Sequence, residues 1–286
     1  MKILLTGANG LLGSAIQHIS LEKGHECLPL PRKTLNWFES YTEMLIVDDA
    51  DVVIHAAANT DVEQCEAYPN ICYRDNYLLS EHIAALAARA NKKFVFISST
   101  GVYGDHKDTP YCEFDDVQPT THYHKSKMLA EDSIQMQSKN SLIVRTGWLF
   151  GSGINVTKNF ISKRVEEARN SSSGIIFANK DQFGNPSYNI DVARRIIELL
   201  ECGVHGVFNC VNSQPTTRFE YVKKIIEFSN LNVSIVETSA DSFNRIANVS
   251  NNESAFDWKA QAMGFNSLPD WRWSLMKYMR DGTYLV

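Results

Sequence analysis

Lys2-Ile3-Leu4-Leu5-Thr6-Gly7-Ala8-Asn9-Gly10-Leu11-Leu12-Gly13 is the stretch that decides the fold. Residues 2–6 form a short apolar run, suited to a strand buried on both faces of a parallel sheet. Glycines follow at G-x-x-G-x-x-G spacing and lead into a helical stretch ending near Lys23. Glycine lets the chain turn sharply. It also lets a diphosphate approach a helix N-terminus, where free N–H groups and the helix dipole favour anions. The third glycine lets helix and strand pack closely. A glycine triplet means little alone, but one that follows a strand and opens a helix reads as a dinucleotide-binding turn. Its residues are Gly7, Asn9, Gly10, Leu11, Leu12 and Gly13.

The same strand–helix alternation continues outward from this turn. His25 to Leu30 reads as the second strand, followed by Pro31-Arg32-Lys33. A site that prefers NAD usually has an acid there for the ribose hydroxyls. Arg32 and Lys33 instead suit a 2′-phosphate, so the expected cofactor is NADPH, with NADH as the alternative. Asp51 to Ala58 is a strand running into small residues, Ala57 and Ala58, beside which a flat ring can pass. A long helical stretch spans about Ile71 to Asn91, with Asn76 near its start as polar support for the site or as a surface residue. Lys93 to Ser98 is the next strand, and it ends in Ser98-Ser99-Thr100-Gly101-Val102-Tyr103-Gly104. Hydroxyls at strand ends lie at the carboxyl edge of the sheet, where open α/β sheets bind ligands, though they also cap turns. Ser141 to Arg145 is a further strand.

The expected fold is therefore α/β, a Rossmann-type doubly wound parallel sheet with a smaller C-terminal substrate-binding domain. Residues 1–150 would form the dinucleotide-binding domain, and 151–286 mainly the second, with elements near 187–210 returning to the first sheet. In the second part, helices are expected over about Lys158–Asn170, Asp191–Glu201 and Arg218–Asn230, with a short strand at Val207–Asn209. Trp258, Trp271 and Trp273 read as core or interface packing.

Tyr123-His124-Lys125-Ser126-Lys127 opens another helix and puts Tyr123 and Lys127 on one face, a turn apart. A free phenol keeps its proton to about pH 10. A nearby ammonium favours the phenolate and is expected to lower that value. The pair can then move a proton at a carbonyl or alcohol. A bare Tyr-x-x-x-Lys is common by chance and gains weight only from its surroundings.

The composition is that of an ordinary globular chain of 286 residues, with net charge −5. Mild acidity argues against nucleic acid and anionic membranes as partners. No run reaches membrane-spanning length. The six cysteines show neither metal spacing nor a disulfide framework, so reduced thiols in a cytoplasmic setting are expected. His122 and His124 are two apart on a helix and face different ways, so no metal site is expected.

The glycine turn, the strand-end serine and Tyr-x-x-x-Lys, in this order, resemble the extended short-chain dehydrogenase/reductase family over nearly the whole chain. Within it the chain is most similar to the dTDP-4-dehydrorhamnose reductases. The matching pieces are His55 to Glu63, Tyr123 to Glu131, Arg145-Thr146-Gly147-Trp148 and, most specifically, Asp181-Gln182-Phe183-Gly184-Asn185-Pro186-Ser187. The resemblance implies reduction of a 4-keto-6-deoxy nucleotide sugar. Gly7, Gly10 and Gly13 would hold the cofactor diphosphate, and Arg32 and Lys33 would lie at the adenosine ribose. Ala57, Ala58 and Thr60 would line the nicotinamide side. Tyr123 would be the general acid, Lys127 would hold the nicotinamide ribose and tune Tyr123, and Ser99 would polarise the carbonyl, with Thr100 as the fallback. Trp148, Asn159 and Gln182 would meet the substrate, and the assembly weighed is a homodimer. Residues 98–104 look more like the sugar-nucleotide epimerases. An epimerase with retained NAD is therefore the alternative, beside a non-catalytic subunit like the reductase-like partner of methionine adenosyltransferase. Dehydratases place Asp-Glu where Thr100-Gly101 stand, and reductases that also epimerise place a cysteine where Gly101 stands.

Overall fold

The computed structural model describes residues 1–31, 47–151 and 159–280. Among them, β1 (Lys2–Thr6), β2 (Glu26–Leu30), β3 (Val52–His55), β4 (Lys93–Ser99), β5 (Ser141–Thr146) and β10 (Gly206–Asn209) form one sheet. Its order is β2-β1-β3-β4-β5-β10, and every pairing is parallel. The chain leaves β1 for β2 on one side and resumes with β3 on the other. That reversal opens a crevice at the carboxyl ends of β1 and β3.

The pleat sends alternate side chains to two cores. Ile3, Leu5, Val52, Ile54, Leu142 and Val144 face helices α1 (Leu11–Glu22) and α7 (Asn189–Glu201). Leu4, Val53, Phe94, Phe96 and Ile143 face α4 (Leu79–Arg89) and α5 (His122–Gln137). Because both faces are covered, the strands read as continuous apolar runs. The sheet edge at β2 carries Pro29, where the missing N–H is tolerated.

The helical stretch expected over 71–91 is interrupted. After α2 (Val62–Ala67) and α3 (Pro69–Tyr73), residues Arg74–Leu78 form a π-helical turn before α4. Such turns occur often at functional sites. This one holds Asn76, which is fully buried and so is no surface residue.

A third apolar core lies beyond β5. It joins Phe150, just after β5, to Ile161 of α6 (Phe160–Asn170), Tyr221 of α8 (Arg218–Phe228) and Trp271 of α10 (Trp271–Arg280). Short strand pairs support it: β6 (Leu149–Phe150) with β9 (Ser187–Tyr188), β7 (Ile175–Asn179) with β12 (Ser234–Thr238), and β8 (Phe183–Gly184) with β11 (Thr216–Thr217). Residues 189–209 return to the first sheet through α7 and β10. Trp271 is core, whereas Trp258, on α9 (Trp258–Ala262), and Trp273 are largely exposed.

Candidate active site

One cleft of about 830 Å³ runs along the carboxyl edge of the sheet. That volume lies in the range of sites that enclose a small molecule. Gly7 to Gly13, Ala57, Ala58 and Thr60 line it. So do Ser99, Tyr123, Lys127 and Trp148. These residues were expected to act together and are brought together. Arg32 and Lys33 lie outside the described residues, and the described end of β2, Pro29 to Pro31, lines the cleft.

The glycine turn suits a dinucleotide. Gly7 has φ +69, and a Cβ there would stand 2.6 Å from the Ala57 nitrogen. A Cβ on Gly13 would stand 2.0 Å from the Gly7 carbonyl oxygen. Only glycine permits this approach of helix to turn. No side chain caps α1 at Gly10, and its first turn holds no acid. Its terminal N–H groups are thus left for an anion.

The far side of the turn is held by a buried relay whose direction can be read. Ser80 Oγ donates to the Asn76 carbonyl at 2.6 Å, so it accepts from His55 Nε2 at 3.0 Å. His55 Nδ1 then accepts from the Thr6 hydroxyl at 2.7 Å, and that hydroxyl oxygen accepts from the Ala57 N–H at 3.3 Å. Burial brings the His55 imidazole down to about 3, so it is the neutral ring this relay needs. Asn76 closes the network on Asn59. Segment 57–60 is therefore fixed from two sides by side chains distant in sequence.

Ser99 ends β4, opposite Thr146 of β5. Its Oγ accepts from the Gly101 N–H at 3.3 Å, which leaves its own proton free to donate toward the cleft. It both caps a turn and faces the site. Thr100 is 1% exposed and does not line the cleft. Its Oγ1 instead lies where a Cβ on Gly147 would go.

Thr121 caps α5, accepting from the His124 N–H at 3.2 Å, and so sets Tyr123 in the first turn. The expected lowering of the Tyr123 phenol does not occur. Burial pushes it up, and Cys65, Glu253 and Cys72 add to the rise. Lys127 is 2% exposed, and its ammonium lies 4.1 Å from the centroid of the Phe96 ring. Burial brings that ammonium down to about 7 against the opposing charge of Glu131. Sequence spacing put the two groups on one face but could not show that both are desolvated.

Trp148 follows β5 with φ +44, a left-handed conformation rare outside glycine. Its ring lies against Gly184, where a Cβ would come within 2.4 Å. Its Nε1 donates to Glu253 at 2.9 Å. The Arg218 guanidinium stacks 3.5 Å from the ring centroid and also lines the cleft. The 181–187 stretch thus seats Trp148. It also ties down the C-terminal segment, since Asn185 Oδ1 accepts from the Ala255 N–H at 2.8 Å.

Two expected substrate residues stand elsewhere. Asn159 caps α6, accepting from the Ile161 N–H at 3.0 Å and donating to Tyr278 at 2.6 Å. The Gln182 carbonyl accepts from the Arg218 N–H at 3.0 Å, which positions α8 rather than lining the cleft. Arg218 and Glu253 were missed. A cation opening a helix, against the dipole, was the one available signal for Arg218. Glu253 had none. Among the described residues no cluster of His, Cys, Asp and Glu could hold a metal ion, and no helix is long and apolar enough to cross a membrane.

Comparison with known proteins agrees with this geometry. The family model described as RmlD substrate binding domain matches residues 1–283. The chain is 30% identical over 244 residues to the spore coat polysaccharide biosynthesis protein SpsK of Bacillus subtilis, covering 85% of this chain and 84% of that one. It is 27% identical over 231 residues to dTDP-4-dehydrorhamnose reductase of Mycobacterium tuberculosis, covering 79% and 75%. The dTDP-4-dehydrorhamnose reductase of Bacillus anthracis, solved in complex with NADP, superposes with a TM-score of 0.91 at 26% identity, covering 98% of this chain and all (100%) of that one.

Proposed function

The chain belongs to the RmlD substrate binding domain family, and from that membership we propose which of its residues carry the reaction. It is an NAD(P)-dependent oxidoreductase of the extended short-chain type, which reduces a keto group on a nucleotide sugar with NADPH. Our reading of the substrate is a 4-keto-6-deoxy nucleotide sugar, as the names of its relatives suggest. Residues 1–150 with 189–209 serve as the dinucleotide-binding part, and the remaining C-terminal elements carry the sugar nucleotide.

The observation that carries this reading is the convergence of the glycine turn, Ser99, Tyr123 and Lys127 on one cleft. Bound NADPH supplies the hydride. Gly7, Gly10 and Gly13, with the uncapped α1, hold its diphosphate, and Ala57, Ala58 and Thr60 flank its nicotinamide. Ser99 donates a hydrogen bond to the carbonyl oxygen and stabilises the charge that develops there. Tyr123, held protonated by burial, delivers the proton to that oxygen. Lys127 lies a turn away to hold the nicotinamide ribose. The free thiols fit a cytoplasmic setting.

The geometry disfavours two neighbouring reactions. A side chain at position 101 would stand 2.2 Å from the His124 ring. A dehydratase glutamate or an epimerising cysteine there would require the His124 ring to move.

The test is NADPH and NADH oxidation by the wild-type protein against a panel of 4-keto-6-deoxy nucleotide sugars. Turnover with NADPH on at least one member is expected. A protein that keeps NAD bound through purification and inverts a sugar without net oxidation would be an epimerase. Intact binding of cofactor and sugar nucleotide with no turnover at all would mark a non-catalytic subunit.

A further inference from the structure

Most arginines packed into this protein have an acid. Arg145 pairs with Glu131 at 2.6 Å, and Arg195 pairs with Asp257 at 3.2 Å and Glu198 at 3.3 Å. The two cationic neighbours of Arg218 are also paired, Arg164 with Glu167 at 2.5 Å and Arg245 with Glu63 at 2.8 Å. Arg218 breaks the pattern. Among the described residues no carboxylate lies within ion-pair distance of it. Glu253, the acid whose charge favours it, accepts from Trp148 Nε1 at 2.9 Å and faces His124 at 3.9 Å. The guanidinium lies between aromatic rings, 3.5 Å from the centroid of Trp148 and 5.0 Å from that of Phe160.

Leaving a part-buried guanidinium without an acid is unfavourable. Placing it at the first position of α8 adds repulsion from the helix dipole. Both costs vanish when an anion enters the cleft beside it. The stacked, planar guanidinium is preorganised for two parallel hydrogen bonds to phosphate oxygens.

The location selects which anion. The glycine turn at the end of β1 would hold the cofactor diphosphate, and Ala57, Ala58 and Thr60, after β3, would flank its nicotinamide. Trp148 follows β5, one strand beyond Ser99. An anion at Arg218 would therefore sit beyond the residues assigned to the nicotinamide, on the side left for the sugar nucleotide.

We propose that Arg218, seated on Trp148, is the anchor for the diphosphate of the nucleotide-sugar substrate. This rests on the reading of the cleft as a nucleotide-sugar site. It deepens that reading by assigning a phosphate subsite to α8.

The test uses binding rather than turnover. Calorimetry would compare thymidine diphosphate and uridine diphosphate with the corresponding nucleosides, on wild type, Arg218→Gln and Arg218→Lys. At least one diphosphate should bind wild type well above its nucleoside. Arg218→Gln should weaken diphosphate binding roughly 10- to 100-fold, as expected for lost charge-assisted hydrogen bonds. It should leave nucleoside and NADPH binding within about twofold, a change of no more than about 0.4 kcal/mol. Arg218→Lys should recover part of the loss, because charge returns without the planar fork. Replacing a part-exposed cation that pairs with no acid should leave the melting temperature nearly unchanged, which separates a binding role from a structural one. Unchanged diphosphate affinity in Arg218→Gln, or equal loss of nucleoside, would overturn the assignment, as would a wild type that binds no diphosphate. Absence of turnover on every keto sugar, with diphosphate binding still sensitive to Arg218, would instead count against the reductase reading alone.

Discussion

Asn76 grips the backbone of Asn59 from both sides. Its Oδ1 accepts from the Asn59 N–H at 2.7 Å, and its Nδ2 donates to the Asn59 carbonyl at 3.0 Å. Seventeen residues separate the partners in sequence, and the π-helical turn presents the amide at the right height. The clamp fixes the loop that carries Ala57, Ala58 and Thr60 into the cleft.

Asn76→Ala leaves the Asn59 N–H without its partner and the Asn59 carbonyl with only the Cys65 thiol, 3.6 Å away. A loss of about 1–3 kcal/mol is expected, the cost of one unsatisfied group. Urea unfolding measures this. Asn76→Asp keeps the acceptor but buries a carboxylate against the Asn59 carbonyl, so it should be no more stable than Asn76→Ala. An alanine variant as stable as wild type would show that the clamp contributes little.

Lys127 makes stability depend on pH in a defined direction. Burial places its folded value at about 7, below the ordinary lysine value of 10.5. Between those values the unfolded chain holds a proton that the folded chain has shed, so stability of the cofactor-free protein rises with pH across that window. Below about pH 7 both states are protonated, and the burial penalty is felt in full. Tyr123 is raised by burial, so it opposes the trend only once the unfolded phenol ionises, near pH 10. Lys127→Met should flatten the rise between pH 7 and pH 10 in denaturant titrations. A variant with the same slope as wild type would mean that the lysine stays charged in the fold.

Gly13 has no room for a methyl group. The added carbon would meet the Gly7 carbonyl oxygen at 2.0 Å, and that oxygen belongs to backbone that cannot swing aside. Gly13→Ala should cost about 1–3 kcal/mol by overpacking and should weaken NADPH binding far more than binding of a nucleoside diphosphate. Fluorescence titration with NADPH checks the first ligand and calorimetry the second. Equal loss for both would point to general unfolding of the cleft.

Glu131 lies between Arg145 and Ser98 at the back of the site. Arg145 reaches both its carboxylate oxygens, and the Ser98 hydroxyl donates to one of them. Glu131→Ala leaves a buried guanidinium unpaired, and losing one partner of such a pair typically costs about 3–5 kcal/mol. The double variant Glu131→Ala with Arg145→Met should be more stable than the single, which thermal unfolding would show.

Much of the sheet was legible because strands buried on both faces leave continuous apolar runs, as at Lys2–Thr6 and Ser141–Thr146. β7 and β12 left no such trace. Ile175, Phe177 and Val236 of that pair are exposed, so its signal is neither alternating nor solid. The π-helical turn was invisible because the sequence through Asn76 keeps a helical pattern across it. At the site, residues set by local spacing could be read: the glycines, Ser99, Tyr123 and Lys127. Properties created by the fold could not. The rise of the Tyr123 phenol comes from burial, and Glu253 reaches Trp148 across 105 positions. Asn159 looked like a substrate contact in the sequence and proved to be a helix cap.

The central claim is that the Tyr123 hydroxyl supplies the proton. The direct measurement is single-turnover oxidation of bound NADPH by a keto sugar nucleotide in wild type and in Tyr123→Phe. The variant should bind both ligands as wild type does, and its chemical step should be slower by roughly 100-fold or more. A Tyr123→Phe protein that oxidises NADPH at the wild-type rate would contradict the assignment.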